Sequence, residues 1–105
     1  MIRACDVVDL PEGEAVRLPG PVPVSVFHTE EGFFAIDDTC SHQDASLADG
    51  WIEGCFVECP LHAALFDLRT GMPTCLPAKR PVRTHQVVVV DGAIYVDTGL
   101  LEETA

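Results

Sequence analysis

Two short stretches bring together side chains that bind soft or borderline metals: Cys40-Ser41-His42 and Cys59-Pro60-Leu61-His62. Each offers one thiol and one imidazole, and sixteen residues separate His42 from Cys59. If the two stretches face each other, four ligands converge. Buried structural cysteines beside incidental histidines would be the plainer explanation. Yet half of the chain's four His and two of its five Cys stand in these two paired loops. A tetrahedral Cys₂His₂ zinc site accepts the same donors. Zinc modules, however, usually pair Cys with Cys and His with His. One residue between Cys40 and His42 makes it awkward for both to hold a single tetrahedral ion. The spacing suits two adjacent metals better, with the thiolates directed to one and the imidazoles to the other.

The elements that must carry these loops read as β-structure. The 105-residue chain has the size of one domain, 1–105, with one modest core. Eight Pro and eight Gly punctuate short segments throughout. Strands are expected over 2–8, 15–18, from Val22 into Phe27 with an alternation of period two, and over 32–37 after a turn at Glu30-Glu31-Gly32. Pro23 marks an edge strand or a strand start. The strongest hairpin signal joins 82–90 to 93–96 across Asp91-Gly92. At most, 44–49 forms one short helical turn. These features predict an all-β small barrel or sandwich, interrupted between about 39 and 81 by irregular, Cys- and His-bearing loops of the kind that carry function.

Seventeen acids against six Lys and Arg give a formal charge of −11 and a pI near 4.4. That surface repels phosphate backbones and anionic lipids and favours a basic partner. No stretch approaches the ~20 apolar residues of a membrane span. The first residues lack a signal-peptide pattern. A cytoplasmic location is therefore expected, where an odd number of cysteines points to metal or redox chemistry.

The ligand pattern, with its inner spacings and intervening length, resembles the Rieske [2Fe–2S] motif, in which two His replace two Cys on one iron. The stretch from Cys40 to Gly50, and Glu58-Cys59-Pro60-Leu61-His62, are similar to the ferredoxin components of bacterial aromatic-ring-hydroxylating dioxygenases of the biphenyl, phenylpropionate and cumene type. Leu76-Pro77-Ala78 is similar to the proline-bearing third loop that covers the cluster there. The resemblance implies a cluster-binding subdomain made by two ligand loops and this third loop. It implies one [2Fe–2S] cluster, with Cys40 and Cys59 on the inner iron and His42 and His62 on the outer one. It also implies a non-catalytic, monomeric electron carrier, serving an NADH-dependent flavin reductase and a terminal oxygenase. A carrier or subunit in a cytochrome P450 or nitrite reductase system, and a zinc-binding module, are the alternatives.

Departures from the respiratory Rieske proteins carry information. Ala45 and Leu61 stand where those proteins have a loop-bridging cysteine pair. Ala64 and Phe66 stand where hydroxyls donate to the cluster sulfurs, so the potential is expected near the low end of the Rieske range, about −150 mV. Elsewhere, Cys5, Cys55 and Cys75 read as structural thiols. His28 and His85 read as surface or half-buried strand residues rather than a mononuclear iron site. Trp51 is expected to pack beneath the ligand hairpins. Lys79, Arg80 and Arg83 form either a solvated loop or a basic spot beside the site. Pro60, Leu61 and Pro77 are expected to form the apolar contact with a partner.

Overall fold

The Asp91-Gly92 turn organises the end of the chain. β8 (Thr84–Val90) returns as β9 (Ala93–Asp97), with Val90 opposite Ala93. Both turn residues take positive φ, 52° and 76°, which a two-residue hairpin turn matched to strand twist requires. A second hairpin joins β3 (Val24–Thr29) to β4 (Gly32–Asp37), with Thr29 opposite Gly32. Pro23 immediately precedes β3, so its missing N–H interrupts no ladder. β2 (Ala15–Leu18) pairs with β3, and β1 (Ile2–Asp6) pairs with β9 before a 3-10 turn at Val7–Asp9.

The computed structural model describes residues 2–19, 22–38, 46–59, 65–73 and 82–97. These strands make a six-stranded antiparallel sheet in the order β1-β9-β8-β4-β3-β2, a nearly closed barrel. A separate three-stranded sheet is built from β5 (Trp51–Glu53), β6 (Phe56–Glu58) and β7 (Leu65–Asp67). The expected helical turn is a 3-10 turn at Leu47–Asp49. No helix among the described residues is long and apolar enough to cross a membrane.

The period-two pattern of β3 does not sort into core and solvent. Val24, Ser25, Val26 and Phe27 are all buried. β3 and β4 form a wall between two cores, and successive side chains face opposite sides. Val24, Val26 and Ala35 join Leu10, Ile94 and Val96 inside the barrel. Phe27 and Ile36 join Leu47, Val57, Cys59 and Phe66 on the other side. The small sheet is thus held to the barrel by a continuous apolar contact.

Candidate metal centre

Cys59 directly follows β6 and is fully buried in the second core, with Val57 and Phe66 of the same sheet. Cys40, His42 and His62 lie outside the described residues, as do Ala45, Ala64 and the third-loop triplet 76–78. What the structure defines is the frame around the segments that contain them.

The first segment, 39–45, leaves from Asp38 and returns at Ser46. The Asp38 carboxylate is almost fully buried. It accepts hydrogen bonds from the Ser25 hydroxyl on β3, from Ser46 Oγ at 2.8 Å, from the Ala48 amide at 3.1 Å and from Arg17 Nε on β2 at 2.9 Å. Burial alone would raise its pKa. The donors from Ser25, Ser46, Ala48 and Arg17 outweigh that and hold it below the ordinary carboxylate value.

Gly50 closes the next joint. A Cβ there would lie 2.0 Å from the carbonyl oxygen of Glu58. The backbone after the first segment therefore touches the backbone just before Cys59, a contact that no side chain permits. Gly71, with φ of 78°, does the same for the third segment: its Cβ would meet the Val82 carbonyl oxygen at 2.0 Å. The Val82 amide also donates to the Gly71 carbonyl at 2.9 Å. Asp37 fastens the same return, since its carboxylate takes Arg83 Nε at 3.1 Å and His85 Nε2 at 2.8 Å. The stretches 39–45, 60–64 and 74–81 thus start and end beside residues locked to one another.

Several expectations change. Trp51 does not pack beneath the hairpins; it is 63% exposed on β5, opposite Glu58. A three-residue strand with alternating exposure points its first and third side chains outward. Arg83 is not free to form a basic spot, because it pairs with Asp37; Lys79 and Arg80 lie outside the described residues. His28 bonds through Nδ1 to the Leu10 carbonyl and stacks on Phe33, while His85 is tied to Asp37. Each therefore has a structural partner of its own. Cys5 packs half-buried against the barrel core. Cys55 is buried in the β5–β6 turn, where desolvation, reinforced by Glu31, pushes its thiol pKa up. Neither is bridged. Cys75 lies outside the described residues. Sequence reasoning singled out neither Asp38 nor Gly50. Two consecutive acids just before Cys40, and a glycine at the end of a predicted helical turn, were the available signals.

The donor set, a buried unbridged thiol at a strand end and two ligand segments joined at Gly50 and Glu58 fit a group shared between both loops. An all-β barrel wall carrying such a loop pair is a frame of the kind that holds an iron–sulfur cluster. The chain belongs to the Rieske [2Fe–2S] domain family, whose model matches residues 1–86, and one [2Fe–2S] cluster is its cofactor. It is similar to the 3-phenylpropionate/cinnamic acid dioxygenase ferredoxin subunit of Photorhabdus laumondii, with 48% identity over 93 residues, covering 88% of this chain and 89% of the relative. The ferredoxin of carbazole 1,9a-dioxygenase from Nocardioides aromaticivorans superimposes with a TM-score of 0.86 at 35% identity, covering 91% of this chain and 95% of that one. A ferredoxin chain from a complex of reduced oxygenase and oxidised ferredoxin in carbazole 1,9a-dioxygenase gives the same TM-score and identity, covering 90% and 99%.

Proposed function

We propose that this chain is the ferredoxin component of an aromatic-ring-hydroxylating dioxygenase system. It takes single electrons from an NADH-dependent flavin reductase and delivers them to the terminal oxygenase. The observation that carries the reading is the likeness, over 90% of this chain, to a ferredoxin solved together with its oxygenase. Cys40 and Cys59 would ligate one iron of the cluster, and His42 and His62 the other. The cluster supplies one-electron redox chemistry when bound. The chain's own residues exclude water from the thiolate side, where Cys59 is fully buried, and fix the loop ends. The protein acts as a monomer in the cytoplasm and breaks no substrate bond.

The small, acidic chain suits transient docking on a basic face. Phe66 offers no hydroxyl to the cluster, so the midpoint sits near the low end of the Rieske range, about −150 mV. That is low enough to sit between a flavin and an oxygenase.

Purified protein should contain two irons and two acid-labile sulfides, with a reduced-state EPR spectrum of low average g-value. Replacing His42 or His62 by Cys should shift that spectrum toward an all-thiolate type or abolish assembly. One zinc and no iron, in protein made with adequate iron, would refute the reading in favour of a zinc module.

A further inference from the structure

We propose that Asp38 is the positioning residue for the first ligand segment: its carboxylate locks both ends of residues 39–45 to the barrel wall and so sets where Cys40 and His42 are presented. This rests on the cluster reading above.

The hydrogen bonds tie together three parts of the chain: the barrel wall, the start of the segment and its return. Arg17 and Ser25 belong to β2 and β3 of the barrel. Asp38 itself is the last described residue before the segment. Ser46 and Ala48 lie just after it, in and before the 3-10 turn. The backbone of Asp38 repeats the pattern, because its amide donates to the Pro23 carbonyl at 2.9 Å and its carbonyl accepts from the Leu47 amide at 2.7 Å. Chain departure, chain return and barrel wall therefore meet at one residue.

An ionised carboxylate accepts about four hydrogen bonds, and Asp38 has four donors. The barrel itself does not need this group, since the β2–β3 and β3–β4 ladders hold the strands. A buried charge is a costly way to fill a core, and a well-packed apolar side chain would stabilise the fold as well or better. What the carboxylate adds is register: it specifies one separation between residues 38 and 46, and hence one span for the loop between them. Cys40 is two residues from this anchor, too short a tether to absorb a shift. The carboxylate thus acts on the cluster through the loop and not by contact with it. Groups that hydrogen-bond metal ligands directly are worth roughly 10- to 100-fold in metal affinity, and an anchor that acts through the loop works in the same direction with less weight.

The test uses the holoprotein with Asp38→Asn, the milder Ser46→Ala, and Val96→Ala as a comparator in the barrel core. Three quantities are read: the bleaching half-time under an iron chelator, the histidine-nitrogen hyperfine couplings of the reduced cluster by pulsed EPR, and the melting temperature. Asp38→Asn should bleach faster than wild type by up to roughly 10-fold, the low end for groups in direct contact with metal ligands, and its couplings should change. Ser46→Ala should move both in the same direction by less. Val96→Ala should melt earlier yet keep wild-type couplings and nearly wild-type bleaching. Wild-type couplings in Asp38→Asn, with bleaching no faster than in a comparator of equal melting temperature, would overturn the proposal. If Asp38→Asn yields no folded protein, Ser46→Ala decides by the same criterion. Wild-type protein without two irons would instead bring down the cluster reading, and this proposal with it.

Discussion

At Phe66 a single absent hydroxyl carries the expectation of a low midpoint. Phe66 is fully buried on β7, opposite Val57 and in the same core as Cys59. A hydroxyl added there enters an apolar surrounding, where an unpaired donor costs about 1–3 kcal/mol, so it has reason to reach an acceptor sulfur. Phe66→Tyr should raise the midpoint on the order of tens of millivolts, a modest step in a Rieske span of roughly 450 mV. Protein-film voltammetry of the two proteins at one pH measures it, and an unchanged or lower midpoint would show that no such bond forms. At this scale the sequence offered candidate ligands by residue type and said little about what supports them. Cys59 could be picked out because a thiol and an imidazole stand within three residues of each other in two separate stretches. Asp38 could not, because one carboxylate looks like any other until Ser25, Arg17 and Ser46 are seen around it. Trp51 misled for the same reason: its type favours burial, and only the strand it occupies decides which way it points.

Among the elements, the hairpins with two-residue turns were legible, since Asp91-Gly92 and the glycine that ends Glu30-Glu31-Gly32 announce backbone conformations that few residues adopt. β5, β6 and β7 were not, because a three-residue strand is shorter than any reliable periodicity. Their assembly depends on a close approach. At Gly50 even an alanine methyl would drive into the Glu58 carbonyl, and backbone cannot swing aside as a flexible side chain can. Gly50→Ala should therefore separate the first ligand segment from Cys59. The expected outcome is protein with a folded barrel but substoichiometric iron, read by iron analysis beside far-ultraviolet circular dichroism. Full iron loading with an unaltered EPR spectrum would show that the joint tolerates a methyl group.

At the scale of the whole molecule, charge dominates. A formal charge of −11 on 105 residues attracts a basic partner from a distance, while salt screens exposed charges over ~10 Å at 0.1 M. Reoxidation of the reduced protein by its terminal oxygenase should slow as salt rises, mainly through association. Leu61→Asp should weaken that transfer and leave the midpoint where it was. Stopped-flow traces across a salt series check both, and a rate that is flat with salt and indifferent to Leu61→Asp would place docking on another face.

β4 and β8 are neighbours in the sheet, with Ile36 opposite Thr84 and the Asp37 amide bonded to the Arg83 carbonyl. The candidate ligands Cys40, His42, Cys59 and His62 all lie on the excursion between them, whose neck is sealed by that ladder. The barrel is in this sense a socket and the excursion an insert. Splicing a tight turn directly between β4 and β8 would leave every strand pairing of the barrel available, but it would strip the cover from Phe27 and Ile36. The excised barrel would need polar replacements at those two positions to stay in solution. Conversely, the insert could be carried to another sheet only together with an apolar wall to lie against and an acid at the strand end to receive it.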